Sequence, residues 1–287
     1  MADRVALVSS ERGLRVDPDL PIAAPALREA GLAVDVVRWD DPAVDWAGYD
    51  LAVVRSCWDY AWRREEFLAW AETVPRLRND AAVLRWNSDK TYLRDLERLG
   101  LPVVPTVWDP TTAGQLPEAD EWVVKPSVSA GSRDTARWSS AEDALAHAGQ
   151  LIAAGRTAMA QPYLDSVDDA GETAMLFLGG RFSHAVRKGP LLGRGEGVRQ
   201  DRDSRGDLRP VMATPAQRDA AQAVFDAVPG LVPGALPVLY ARIDPVGDES
   251  GRPVLLELEL TEPSLFLPQA PPTALRQLAD GVHAAWA

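Results

Sequence analysis

The chain has 287 residues, 46% of them hydrophobic and 25% charged, which is enough for a sizeable core in one to three domains. Its net charge of -12 offers no dominant basic patch, and this argues against nucleic acid or an anionic membrane surface as partner. A lone cysteine, Cys57, excludes an internal disulfide framework and suits a reducing cytosol; without a signal-peptide-like N-terminus or an apolar run of about 18 residues, a cytoplasmic location is expected.

Strand and helix signals alternate at the start. Residues 4–10, 32–39 and 49–56 are short, Val-rich and end in polar residues, and 19–31 between the first two reads as a helix closed by Gly31. This rhythm predicts a small parallel, Rossmann-like sheet in an N-terminal unit over 1–86. Residues 63–74 have helical spacing. The stretch 86–100 predicts one helix with Ser88 as N-cap, an apolar stripe of Leu93, Leu96 and Leu99, and a stop at Gly100. An extended run follows, then a strand over 121–126, a small-residue loop over 127–135, a helix over 140–155 and a strand over 156–164. A hairpin turns at Gly179 and Gly180 within 171–190. The Gly- and Arg-rich stretch 191–210 is a lid or a disordered loop. After a helix at 214–228, strands at 237–246 and 252–260 pair, and 272–287 closes the chain as a helix.

Among 30 basic residues only three are lysine: Lys90, Lys125 and Lys188. Lys125 ends a Val-rich strand before a loop of small residues, "SVSAGS". Such a loop lets backbone N–H groups approach an anion closely, and lysine is a compact point charge where arginine is a broad planar fork. A phosphate site is the reading that uses both features; a surface lysine after an edge strand is the plain alternative. The pattern is not a Walker A loop. Near the other end, Glu257 and Glu259 are two apart on a strand and share a face, with Asp244 placed to lie opposite on the preceding strand. Three carboxylates on one face repel unless a cation sits between them, and oxygen ligands of this kind suit Mg²⁺.

In order and spacing these segments resemble the ATP-grasp carboxylate–amine ligases, which include D-alanine–D-alanine ligase and glutathione synthetase. The likeness covers roughly 87–270. It implies a two-lobed ATP-grasp fold, with a small lobe over 87–160 and a large lobe carrying the metal site over 161–287. It also implies ATP and Mg²⁺, two ions, as cofactors. Lys90 and Lys125 would bind phosphates, and the 127–132 loop, with Ser129, Gly131 and Ser132, would close over them. Gln161 and the backbone of Tyr163 and Leu164 would sit near adenine, and Glu172 near ribose. Arg187 or Lys188 would reach the γ-phosphate. Asp244, Glu257 and Glu259 would take the metal positions, although the family often has Asn at the third. Arg242 matches an arginine that stabilises the tetrahedral intermediate.

In this family a substrate carboxylate attacks the γ-phosphate and an amine then displaces phosphate from the acylphosphate. The substrate expected is an amino acid or a small derivative of one. An amide between two molecules is the first reading. The intramolecular alternative is similar to the cycloserine-forming cyclo-ligases, in layout and in the "RSCWDY" region. A non-catalytic ATP-binding module is the rival from another class. Arg55, Trp58, Asp59 and Tyr60, at the end of a predicted parallel strand, are candidate substrate residues, as are Glu262 and Ser264 after the metal strand. Cys57 reads as structural, His147 and His283 as helix-surface residues, His184 as a possible neighbour of the nucleotide, and Trp70 and Trp286 as core. A homodimer is compatible with this reading.

Overall fold

Val- and Ala-rich strands that end in polar residues build the first sheet. β1 (Arg4–Ser9), β2 (Ala33–Arg38), β3 (Leu51–Val54) and β4 (Leu77–Arg78) pair in parallel in the order β2-β1-β3-β4. The computed structural model describes residues 3–200 and 207–285. β1 and β3 are buried on both faces, as a parallel sheet covered by helices requires. The short α1 (Glu11–Val16) and the longer α2 (Leu20–Glu29) follow β1, and α3 (Arg64–Thr73) follows β3. α1 lacked a sequence signal. It is capped by Ser10, whose hydroxyl accepts the Gly13 N–H at 3.1 Å.

The expected helix over 86–100 is two helices. α4 (Ala81–Asn87) starts at Asp80, whose carboxylate accepts the Val83 N–H, and it ends at Ser88. Ser88 is therefore a C-cap and not an N-cap: its N–H is spent on the Leu84 carbonyl. α5 (Tyr92–Arg98) begins after a break at Asp89–Thr91. Asn87 and Tyr92 flank the break and bind the strand that carries Leu258, through Asn87 Nδ2–H to the Leu258 carbonyl at 2.8 Å and the Leu258 N–H to the Tyr92 hydroxyl at 2.8 Å. The break leaves Lys90 in the cleft described below.

β5 (Val107–Trp108), β6 (Trp122–Pro126), β7 (Ala136–Trp138) and β8 (Ala158–Pro162) form an antiparallel sheet in the order β5-β8-β6-β7, backed by α6 (Ala141–Ala153). α7 (Ser166–Ala170) leads into the third sheet. There β9 (Glu172–Leu178), β10 (Arg181–Lys188), β11 (Leu208–Val211), β12 (Tyr240–Gly247) and β13 (Pro253–Glu259) are antiparallel in the order β11-β10-β9-β12-β13. α8 (Pro215–Leu231) covers one face and α9 (Thr273–Ala284) the other. α2 and α9 share a core with side chains of β1, β3 and β9, so one apolar layer joins the first and third sheets. α9 comes very close to the β9–β10 turn, where a Cβ on Gly281 would lie 2.7 Å from Gly179 Cα. β7 and β11, of three and four residues, were too short for the period-2 pattern to reveal.

Within the Arg-rich stretch, residues 191–200 fold back on the 127–135 loop: the Asp134 N–H donates to the Arg199 carbonyl and the Arg199 N–H to the Thr135 carbonyl. Residues 201–206 and Trp286 lie outside the described residues. Among the described residues no helix is long and apolar enough to cross a membrane.

Candidate active site

One cleft runs between the second and third sheets and opens towards the ends of β1 and β3. It is lined by Lys90, Lys125, Ser129, Gly131, Ser132, Gln161, Tyr163, Leu164 and Glu172 from the candidate nucleotide set. Lys188, Arg242, Glu257 and Glu259 line it too, with Trp58, Tyr60, Glu262 and Ser264 at the far end. Seventeen residues proposed from widely separated stretches of sequence thus face one space.

Lys90 and Lys125 lie at the same end. Lys90 Nζ–H donates to the Ser129 carbonyl at 3.1 Å and pairs with Glu257 at 3.2 Å. Lys125 is 8% exposed, and its ammonium has no hydrogen bond or ion pair among the described residues. Burial holds it below the ordinary lysine value; Glu257 works against that and Lys90 adds to it. A buried cation without a partner is costly unless a ligand completes it. The loop after it turns through left-handed conformations at Gly131, Ser132 and Asp134, which a run of small and short polar residues allows.

The acidic group sits across from these lysines. β12 and β13 pair so that Asp244 faces Glu257 and Arg242 faces Glu259. One oxygen from each of Asp244, Glu257 and Glu259 lies within 4.8 Å of the others. Cations already surround them. Arg242 Nε–H donates to Asp244 at 3.0 Å, another of its N–H groups reaches Glu259, and Lys188 Nζ lies 2.6 Å from both Asp244 and Glu172. Burial would raise Glu257, but Lys90 and Lys125 hold it well below the usual carboxylate range. Glu259 goes the other way: burial, opposed by Arg242 and reinforced by Glu257, Glu262 and Asp244, raises it. Burial and like-charge repulsion both act on this group, and three hard oxygen donors so grouped can hold a divalent cation.

Arg187 corrects an expectation. Neighbouring residues of a strand face opposite sides, so only one of Arg187 and Lys188 can enter the cleft. Lys188 does; Arg187 turns to the end of α7 and donates to the carbonyls of Ala170 and Asp169. Asp59 is also turned away, accepting the Trp39 indole N–H at 3.0 Å and pairing with Arg63 at 3.3 Å. Arg55 is buried behind the cleft wall, with its guanidinium over the Tyr240 ring and donating to the Pro263 carbonyl at 2.7 Å. Trp58 stays at the cleft and donates its indole N–H to the Glu262 carbonyl.

Between β8 and α7, Gln161 is 1% exposed. Its Nε2–H is taken by Thr106 at 2.9 Å, while its Oε1 is buried with no partner. The Tyr163 N–H is used by the Glu121 carbonyl, so of that backbone pair the Leu164 N–H is the one left without a partner among the described residues. Three further readings are settled here. Cys57 is fully buried, and burial pushes its thiol up. His147 is buried against Trp138, whose indole N–H it accepts, and is not a surface residue. His184 bonds the Leu265 carbonyl rather than facing the nucleotide end. Arg12, Leu191, Leu192 and Arg199 also line the cleft. Sequence offered no signal for them beyond the Arg-rich loop, because α1 was invisible and the loop's fold-back depends on residue 134.

The family model for the N-terminal domain of D-cycloserine synthetase DcsG matches residues 5–79. The cycloserine biosynthesis protein DcsG of Streptomyces lavendulae is 37% identical over 294 residues, 95% of each chain. The crystal structure of D-cycloserine synthetase DcsG matches with a TM-score of 0.90 at 35% identity, over 99% of this chain and 100% of that one. More distant likenesses are of fold. The ATP-grasp ligase PsnB complexed with minimal precursor, Mg and ADP has a TM-score of 0.63 at 17% identity, covering 99% and 97%. D-alanine–D-alanine ligase from Bacillus anthracis complexed with ATP has 0.66 at 13%, covering 99% and 98%. A cleft lined by lysines and carboxylates between two antiparallel sheets, in a chain 37% identical to DcsG over nearly its whole length, places this protein in the ATP-grasp ligases, in the family of the cycloserine synthetase.

Proposed function

We propose that this ligase uses ATP and Mg²⁺ to activate the carboxylate of an amino-acid derivative and closes it onto a nitrogen of the same molecule, a cycloserine-type ring closure. One observation carries the choice. Likeness to the cycloserine synthetase is 35–37% over the whole chain, whereas D-alanine–D-alanine ligase and PsnB are 13% and 17% identical. The intermolecular amide, placed first on sequence, therefore becomes the alternative. Residues 1–86 serve in this reading as the substrate unit, 87–160 as the small ATP lobe and 161–287 as the large lobe, in a cytoplasmic enzyme.

Each residue then has work that suits its surroundings. Lys125, with no protein partner, takes an α- or β-phosphate, and Lys90 another, beneath the 127–132 loop. The orphan Gln161 Oε1 accepts from the adenine amino group, and the Leu164 N–H donates to the ring. Glu172 receives the ribose hydroxyls once Lys188 has moved to the γ-phosphate. Asp244, Glu257 and Glu259 fit Mg²⁺, because the ion would offset the repulsion from neighbouring acids that, with burial, raises Glu259. Held by these three carboxylates, it would supply charge neutralisation for the phosphates.

No protein nucleophile is needed. The substrate carboxylate oxygen attacks the γ-phosphorus and the bond to ADP breaks. The substrate nitrogen then attacks the acyl carbon. Arg242 donates to the oxyanion that forms, the carbon–oxygen bond breaks, and phosphate leaves. The test is phosphate release with mass analysis of the product, using an O-ureido amino acid alone and then pooled amino acids. Release with the single substrate and a ring containing one copy of it is the expected result. Release only when a second amino acid is present, with a product containing both, would overturn ring closure in favour of the amide.

A further inference from the structure

Residues 260–267 carry the chain from the end of β13 around the acceptor end of the cleft. Within this turn Phe266 has φ 51, a left-handed conformation that a bulky residue adopts only when its surroundings hold it there. The two amides flanking Phe266 bind one carboxylate: Asp19 Oδ2 accepts the Leu265 N–H at 2.6 Å, and Asp19 Oδ1 accepts the Leu267 N–H at 2.8 Å. Asp19 is 1% exposed. It stands at the N-cap of α2, yet makes no side-chain cap bond, because both oxygens are given to the turn. Arg55, 2% exposed, holds the same turn at the Pro263 carbonyl. A buried carboxyl and a buried guanidinium of the N-terminal unit thus grip alternate residues of one turn. The turn carries Glu262 and Ser264 to the cleft and sets the Phe266 ring 5.4 Å from the Arg242 guanidinium.

We propose that Asp19, backed by Arg55, is a positioning residue for the ligation step: its carboxylate locks the left-handed turn at Phe266, and the locked turn is the wall that keeps water from the acylphosphate. The consequence rests on the ligation chemistry proposed above; the clamp itself does not. Neither side chain touches the reacting atoms. With the wall slack, water replaces the substrate nitrogen at the acyl carbon. The carbon–oxygen bond to phosphate then breaks and the original carboxylate returns, so ATP is consumed without product. Uncoupling, rather than loss of ATP binding, is the signature.

The experiment compares the parent with Asp19→Asn, which keeps the volume and one acceptor oxygen, and Asp19→Ala, which keeps neither. Amide exchange over 261–269 is read by mass spectrometry, ATP affinity by calorimetry, and ADP formed per product by chromatography. Exchange over 261–269 is expected to quicken about tenfold or more, while the 127–135 segment stays unchanged. ATP affinity should hold, and the ADP-to-product ratio should rise from parent to Asn to Ala. Unchanged exchange in Asp19→Asn would overturn the clamp. Quickened exchange with an unchanged ratio, or turnover and ATP affinity falling in step, would overturn its role in coupling. Should Asp19→Ala fail to fold, the Asn variant decides alone. A parent that makes ADP but no ring would count against ring closure, and the exchange arm would still judge the clamp.

Discussion

The two ends of the cleft are held in different ways. At the nucleotide end, the 127–135 loop has three left-handed residues within four positions. It is tied by main-chain bonds to Lys90, Thr157 and Arg199 and by the half-buried Arg156, which reaches the Val128 carbonyl and Asp134. At the acceptor end, buried side chains from five separate segments hold the turn: Asp19, Arg55, Asn87, His184 and Tyr240. The first end carries a buried cation that still lacks a partner; the second has most of its partners in place. In the proposed reading, a site so divided would receive its nucleotide by rearrangement and its acceptor in a wall already built.

Substitutions can break this contrast, and the largest effect should come where the ends meet. Arg242→Ala removes the proposed donor to the developing oxyanion and should cost on the order of 10²–10³ in kcat with little change in ATP affinity. Calorimetry and saturating turnover, measured together, check it. Equal losses in both would make Arg242 chiefly an ion-pair partner of Asp244 and Glu259.

Lys125→Ala should weaken ATP binding by about 1.5–3 kcal/mol, roughly 10- to 150-fold, with turnover lost and the fold kept. Unchanged ATP affinity in a folded variant would remove Lys125 from the nucleotide end. Glu257→Gln should raise the Mg²⁺ needed for half-maximal rate several-fold, because it removes a carboxylate that is charged in the resting protein. Glu259→Asn should raise it less, since burial and neighbouring acids raise its proton affinity and weaken it as an anion. Calorimetric titration of Mg²⁺ with a non-hydrolysable ATP analogue would count the ions and separate the two.

A smaller effect sharpens the same contrast. Lys125 has its proton affinity lowered by burial. Bound phosphate favours the ammonium, so ATP binding should take up protons as pH rises through that lowered value, and affinity should fall over the same window. Calorimetry in buffers of different ionisation enthalpy reads the uptake, and Lys125→Ala should abolish it. Smallest of all, Arg187→Ala should leave ATP affinity and kcat unchanged, because its guanidinium faces the end of α7 and not the cleft. A marked loss of ATP affinity would mean that Arg187 swings inward.

What the sequence revealed follows the same division. Lys125 stood out as a rare lysine before a small-residue loop, and Glu257 and Glu259 by their spacing of two; these signals lie within a few neighbouring residues. The parallel sheet and both large hairpins were legible for the same reason. The break at Asp89–Thr91 was not, because the leucine stripe lies entirely after it and the residues that flank it, Asn87 and Tyr92, dock onto β13, far away in sequence. Arg55 was placed correctly at a strand end, but which way its side chain points depends on Pro263, 208 residues later. Asp19 looked like an ordinary helix start, and nothing near it in sequence reveals that its oxygens serve a distant turn.

That distance bears on the order in which the protein is made. Asp19 and Leu265 are 246 residues apart, so the N-terminal sheet leaves the ribosome long before its clamp has anything to hold. Until the last stretch emerges, the Asp19 carboxyl has no Leu265 or Leu267 amide to hold and the Arg55 guanidinium has no Pro263 carbonyl. Domains commonly fold as units from the N-terminal side during synthesis. Here the first unit can form its strands early, yet the acceptor wall closes only as the newest residues dock on the oldest. A nascent chain halted before residue 260 is therefore expected to contain both lysines of the nucleotide end and no finished place for the acceptor.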